Sequence, residues 1–196
     1  MSHAEVLIPA APGLLQRLRA ETAEAHASLE AALDILAEPL RQDRFARLLE
    51  RFWGFHAAWE PALARALGDD AFLAPRGKLA LLQRDLVALG RTADQIERLP
   101  LCLEAARLTA DHGSALGSLY VMEGSTLGGQ VISRALQAAP WLPAGGLGYF
   151  DPYGPLTGQM WRGFRDYASA HASPAADDII VDGARAAFER LQAWLT

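Results

Sequence analysis

The 196-residue sequence has a single cysteine, Cys102, and a single lysine, Lys78. A lone thiol forms no intramolecular disulfide, which excludes a disulfide scaffold and points to a reducing compartment. Cys102 falls in an apolar helical run, where a buried and inert thiol is the expected state. No run of about eighteen apolar residues marks a membrane span. Residues 1–13 lack the basic-then-apolar order of a secretory signal. The chain is therefore expected to be cytoplasmic, with no membrane association. Period-two alternation rich in β-branched residues is missing as well, and so is any internal repeat, which argues against a sheet protein or a solenoid.

What is present is an ordinary globular composition, with 51% hydrophobic and 21% charged residues. That balance excludes disorder and a coiled-coil rod. The length fits one domain over residues 1–196, with residues 1–12 as a flexible leader, and a domain of this size closes a core without staples. A formal charge of -5 argues against general affinity for nucleic acid or anionic membranes, since both rely on Lys and Arg neutralising phosphates. Of the 18 basic residues, all except Lys78 are arginine, leaving 17. Genomic base composition and a need for carboxylate-pairing forks both account for this.

Apolar spacing predicts a first amphipathic helix over residues 14–37, ended by Pro39. A second, capped by Asp43, runs to a stop at Gly68 and is bent or broken at Pro61. A third spans residues 79–89 and stops at Gly90. A long apolar stretch follows over residues 100–139. Residues 140–158, rich in Gly and Pro, read as a loop that Tyr149, Phe150 and Tyr153 pack against the body. Two more helices, at about 159–171 and 176–195, complete an all-α fold: a single compact bundle of roughly six or seven helices.

Within the long apolar stretch, Gly113, Gly117, Gly124, Gly128 and Gly129 lie on one helix. Gly124, Gly128 and Gly129 together cost roughly 2 to 3 kcal/mol relative to alanine. Something must offset that loss. Close helix–helix contact accounts for Gly113 and Gly117. For the other three, a flat ligand lying against bare backbone explains the doubled glycine, which can also kink the helix, better than packing does. On the first helix His26 has Glu30 one turn later and Arg19 seven residues earlier, on about the same side. A neutral imidazole can ligate iron through one nitrogen while a carboxylate orients the other. The ordinary alternative is a helix histidine simply paired with Glu30. Of the remaining histidines, His3 falls in the leader, His56 among aromatics in the core, His112 at a cap or turn, and His171 near a helix end.

The first-helix pattern Leu18-Arg19-x-x-Thr22-x-x-x-His26-x-x-Leu29-Glu30 and the glycine-rich pattern Tyr120-Val-Met-Glu-Gly-Ser-Thr-Leu-Gly-Gly-Gln130 together resemble the heme oxygenase family. The second is similar above all to bacterial enzymes that supply biliverdin to bacteriophytochromes. The resemblance implies a helical bundle with heme between the first helix and a glycine-kinked distal helix. His26 is then the proximal iron ligand, with Glu30 close to its free nitrogen. Gly124, Gly128 and Gly129 lay backbone over the distal face. Arg19 and Arg162 match basic positions that meet the heme propionates, with Arg165 second to Arg162, and Phe188 matches an aromatic near the heme edge. Arginine forks suit carboxylates, and an apolar slot with a basic rim suits the ligand. Ser125 stands where many members carry an aspartate that organises proton delivery. A serine hydroxyl donates to and accepts from water but holds no charge, so Glu123 is the other candidate to help.

The implied reaction cleaves heme to biliverdin, ferrous iron and carbon monoxide. It uses dioxygen and an external electron donor, a ferredoxin or a reductase, with a bacteriophytochrome as one possible biliverdin acceptor. A heme carrier or sensor lacking efficient turnover is the alternative. A third reading, an enzyme of similar architecture acting on a thiamin-related compound, needs a pocket cysteine, and Cys102 lies outside the glycine-rich stretch.

Overall fold

The computed structural model describes residues 13–36 and 40–196. The predicted leader, His3 and the stop at Pro39 lie outside the described residues. Among the described residues there are nine α-helices and no strand: α1 (Leu14–Glu21), α2 (Ala23–Leu33), α3 (Gln42–Leu67), α4 (Asp70–Leu73), α5 (Leu79–Ala88), α6 (Ala93–Glu97), α7 (His112–Leu136), α8 (Thr157–Ala170) and α9 (Pro174–Leu195). The all-α expectation holds. The count rises above six or seven because the first predicted helix is two helices and because α4 and α6 are too short to leave an apolar period.

The break between α1 and α2 falls at Thr22, whose backbone leaves helical geometry (φ -111°, ψ 2°) while its hydroxyl donates to Leu18 O at 2.7 Å. Such a side-chain bond competes with the helix ladder, a local effect that hydrophobic spacing does not register. Asp43 is not the cap of α3. Arg41 occupies that position, and Asp43 sits in the first turn, paired with Arg41 and Arg47. Pro61 does not end α3, which continues to Leu67 and stops at Gly68 in the left-handed region (φ 63°). Cys102 is buried as expected but precedes a 3-10 segment, Leu103–Thr109, rather than lying in a helix. Its N–H donates to Gly54 O at 3.0 Å.

The core is built from Phe45, Leu49, Phe55, Leu82, Leu86, Leu116, Leu119, Met122, Phe164 and Ile180, drawn from α3, α5, α7, α8 and α9. Each such side chain contributes about 1.5–3 kcal/mol when fully buried. α7 packs most extensively on α9, and the reason is glycine. A Cβ on Gly117 would lie 2.0 Å from Ile180 O, and one on Gly183 would lie 2.7 Å from Ser114 Cα. The two backbones touch where the side chains are missing, so the packing reading of Gly113 and Gly117 is correct. α2 also packs on α9, as does α1. Arg185 on α9 donates to Glu21 Oε2 at 2.7 Å and to Glu21 O at 3.2 Å, and Arg17 pairs with Asp178 at 2.8 Å.

The segment between α7 and α8 is packed, as its aromatics predict. Tyr149 and Phe150 are buried against Phe52 and Phe45. Buried Asp85 accepts from Gly148 N at 3.0 Å and Tyr149 N at 2.8 Å, which fixes the turn. His56 is a core residue as expected. It is wholly buried, edge-on to Phe55, Trp59 and Tyr149, with Nδ1 2.9 Å from Glu60 Oε1 and Nε2 3.2 Å from the Tyr149 hydroxyl.

Candidate active site

Two chain segments that are far apart in sequence meet where α1 gives way to α2. The Tyr120 phenol of α7 lies near Thr22 and Arg19, both of which pull its pKa down against the larger effect of burial. Thr22 commits its own proton to Leu18 O. Burial pushes the Tyr120 phenol up, which keeps it a donor. One helical turn beyond Thr22 is His26, and one turn beyond Tyr120 is Gly124. The helix carrying His26 and the helix carrying the glycines both rest on α9.

His26 lies on the open side of α2, its side chain 54% exposed. Its ring is edge-on to buried Phe188 of α9, with centroids 5.6 Å apart, so that pair of sequence candidates is brought together. Nε2 stands 3.5 Å from Glu30 Oε1, too far for a strong hydrogen bond, so the imidazole retains a nitrogen for another partner. Arg19, Arg162 and Arg165 are exposed, and none of them has a salt-bridge partner among the described residues. Three guanidinium groups unpaired among the described residues are therefore open to solvent in an acidic chain.

The helix carrying the glycines is α-helical without interruption from His112 to Leu136, so the expected kink at Gly128 and Gly129 is not a break in α7. The three glycines divide. A Cβ on Gly128 would meet nothing within 4 Å, and one on Gly124 would meet only the Trp161 ring, at 3.8 Å. One on Gly129 would lie 2.3 Å from Phe150 O. Gly129 is therefore a packing glycine, required by the carbonyl of the loop behind α7, and not part of the open face. Sequence spacing cannot separate these cases, because 128 and 129 differ by a rotation of about 100° on the helix.

Flanking the open backbone are Leu127 and Val131, both exposed. Trp161 stands beside Gly124 and stacks on Phe164 at 5.4 Å, with Tyr120 at 5.8 Å. Trp161 and Tyr120 were not picked out as site residues from the sequence. The available signal was position, since Trp161 adjoins Arg162 and Tyr120 opens the glycine-rich pattern. Ser125 is exposed, and its hydroxyl donates to Met122 O at 2.8 Å, leaving only acceptor capacity. In this arrangement Ser125 presents its oxygen to solvent as an acceptor. Glu123 turns into the protein instead, 1% exposed and bonded to Arg76, Lys78 and Tyr153.

Together these features give an all-helical protein with open backbone at Gly124 and Gly128 of α7 and a half-exposed imidazole on α2, two helices that both pack on α9. Such a donor set would fit heme: an imidazole nitrogen for the iron, space where a Cβ would otherwise stand, and guanidinium groups for two carboxylates. Residues 12–196 match the family model described as heme oxygenase. A heme oxygenase from Xanthomonas campestris pv. campestris (strain 8004) is 32% identical over 161 residues, covering 78% of this chain and 89% of that protein. The chain belongs to the heme oxygenase family. Its fold is shared with the heme oxygenase from Leptospira interrogans, with a TM-score of 0.80 at 18% identity, covering 94% of this chain and 98% of that one. Heme oxygenase-1 from Synechocystis sp. PCC6803, solved in complex with heme, superposes with a TM-score of 0.75 at 16% identity, covering 94% and 91% of the two chains. No described helix is long and apolar enough to cross a membrane.

Proposed function

We propose that the slot between α2 and α7 binds heme with His26 as the iron ligand and Gly124 and Gly128 as the opposing backbone wall. The activity is that of a heme oxygenase: oxidative cleavage of heme to biliverdin, ferrous iron and carbon monoxide with dioxygen and external reductant. Bound heme supplies both the ring that is cleaved and the iron at which dioxygen reacts. The observation that carries the residue assignment is the open backbone at Gly128 together with a half-exposed imidazole on α2, a helix that packs on α9 as α7 does.

Each residue then has a physical task. Glu30 draws on one His26 nitrogen and biases which of them carries the proton, while Phe188 limits rotation of the ring. Arg19 and Arg162 pair the propionates, with Arg165 in reserve, and so fix which edge of the ring faces solvent. Gly124 and Gly128 would leave room for the ring beside bare main chain, and Leu127, Val131 and Trp161 would shield it from bulk water. Gly129 acts indirectly by letting the Phe150 loop support α7. Ser125 Oγ accepts a hydrogen bond from a water, which then holds the proton that the reaction consumes.

The finer assignments belong to the same proposal: a cytoplasmic location, a ferredoxin or reductase as electron donor, and a bacteriophytochrome as biliverdin acceptor. The lone buried thiol supports the first. A heme carrier without turnover is not favoured, given the family.

The test is addition of hemin to the purified protein. A histidine-ligated Soret band is expected, followed by biliverdin when reductant and oxygen are supplied. His26→Ala loses the histidine-type band. Unchanged heme affinity and spectrum in that variant would remove His26 from the site.

A further inference from the structure

We propose that Glu123 is a positioning residue whose buried carboxylate fixes the rotation of α7, and with it the height of the Gly124–Gly128 backbone in the slot. The inference rests on the heme-binding reading above and deepens it.

Glu123 directly precedes Gly124 and points away from the open face. Its Oε1 accepts from Lys78 Nζ at 3.1 Å and from the Tyr153 hydroxyl at 2.7 Å, while Oε2 accepts from Arg76 Nη1. Arg76 also donates to Met160 O of α8 at 3.2 Å and covers the Phe72 ring at 4.2 Å. One carboxylate thus ties α7 to the segment before α5, to the loop before α8, and through Arg76 to α8 itself. The only lysine in the chain is used here, 3% exposed. Glu60 is adjacent, accepting from the Lys78 N–H at 2.8 Å. Two buried cations therefore face two carboxylates, a balance that a buried cluster requires. Burial, and then the neighbouring carboxylate, push the Tyr153 phenol well above its ordinary value, so it remains a donor.

The open face cannot hold itself in place. Gly124 and Gly128 have no side chains, and their nearest neighbour is Trp161 at ordinary contact distance. Backbone contacts fix α7 at Gly117 and Gly129, about three turns apart. Between them Glu123 makes the charged, multiply bonded attachment. Any rotation that raises or lowers Gly124 must carry Glu123 off its donors. Charge-assisted bonds of this kind are short and directional, which suits a register-setting role.

The experiment uses Glu123→Gln, which keeps shape and removes charge, and Tyr153→Phe, which removes a single donor. Both are examined for fold by circular dichroism, for heme affinity by titration, for the absorption spectrum of bound ferric heme, and for the ratio of biliverdin isomers. Folded variants are expected whose Kd stays within about threefold of the parent, under 1 kcal/mol. Their ferric-heme spectrum should shift and their isomer ratio should redistribute. Parental spectra and isomer ratios in both, with only a lower melting temperature, would make Glu123 merely structural and overturn the proposal. Should Glu123→Gln fail to fold, Tyr153→Phe decides on the same criteria. Failure of the heme-binding reading itself shows separately, as absence of a histidine-type band in the parent protein.

Discussion

At the scale of single residues the glycines of α7 make the sharpest prediction, because one residue type serves two opposed purposes on one helix. Alanine at Gly124 or Gly128 finds room, so the heme-free protein should gain up to about 1 kcal/mol from better helix propensity while heme binding weakens. Alanine at Gly117 or Gly129 meets backbone carbonyl oxygens at 2.0 Å and 2.3 Å and should cost about 1–3 kcal/mol through overpacking. Gly113→Ala is tolerated, since its contact at 2.8 Å is the Ile179 side chain, itself 47% exposed and free to shift. Chemical denaturation and heme titration of the five variants check this, and equal stability losses at Gly128 and Gly129 would contradict it. The sequence pattern was enough to find the helix. Which glycine faces open space depends on a loop carbonyl, that of Phe150, supplied from twenty-one residues downstream, and no helical period encodes that.

At the scale of elements, α1 and α2 carry the greater uncertainty in sequence and the greater consequence for function. The apolar spacing of residues 14–37 runs through Thr22 undisturbed, so the break there was not legible. It arises from a hydroxyl bonding back to Leu18 O. Long helices such as α3 and α9 were legible because eleven and seven of their residues are buried in periodic order. In α2 the buried set is Leu29 alone. A helix so lightly anchored draws little stability from packing and opens locally at small cost. Ligation of His26 would add an anchor by mass action, worth about 2.7 kcal/mol when free heme is a hundredfold above its Kd. Hydrogen exchange should therefore slow at least tenfold in α2 and in the Gly124–Gly128 turn of α7 on adding heme, and much less in α5. Exchange in α2 that ignores heme would place the ligand elsewhere.

Across the whole molecule, a band of buried polar groups runs behind α7: the Tyr149 hydroxyl, His56, Glu60, Lys78, Glu123 and Arg76, each in contact with the next. Sequence reading placed His56 in the core but had no means of seeing this band, because its members come from four separate segments and none has a spacing signature. The band makes the fold acid-sensitive, and the sign can be worked out. Burial pushes the His56 imidazole below its ordinary value, against the opposing pull of Glu60. The folded state therefore refuses a proton that the unfolded chain accepts at about pH 6.5. Stability is full above that value and falls as the pH drops through it, since the unfolded state then binds more protons. Glu60 extends the trend. Although burial raises its pKa, the bonds from His56 and Lys78 bring it below the ordinary carboxylate value, so its contribution is lost at still lower pH. Melting temperatures of the heme-free protein should decline from pH 7 to pH 5. His56→Gln should start from a lower temperature and show a visibly shallower decline. Some slope persists in that variant because His112, though exposed, is lowered too, by partial desolvation and then by His171. Parallel melting curves for the two proteins across that range would show that the acid response originates outside the band.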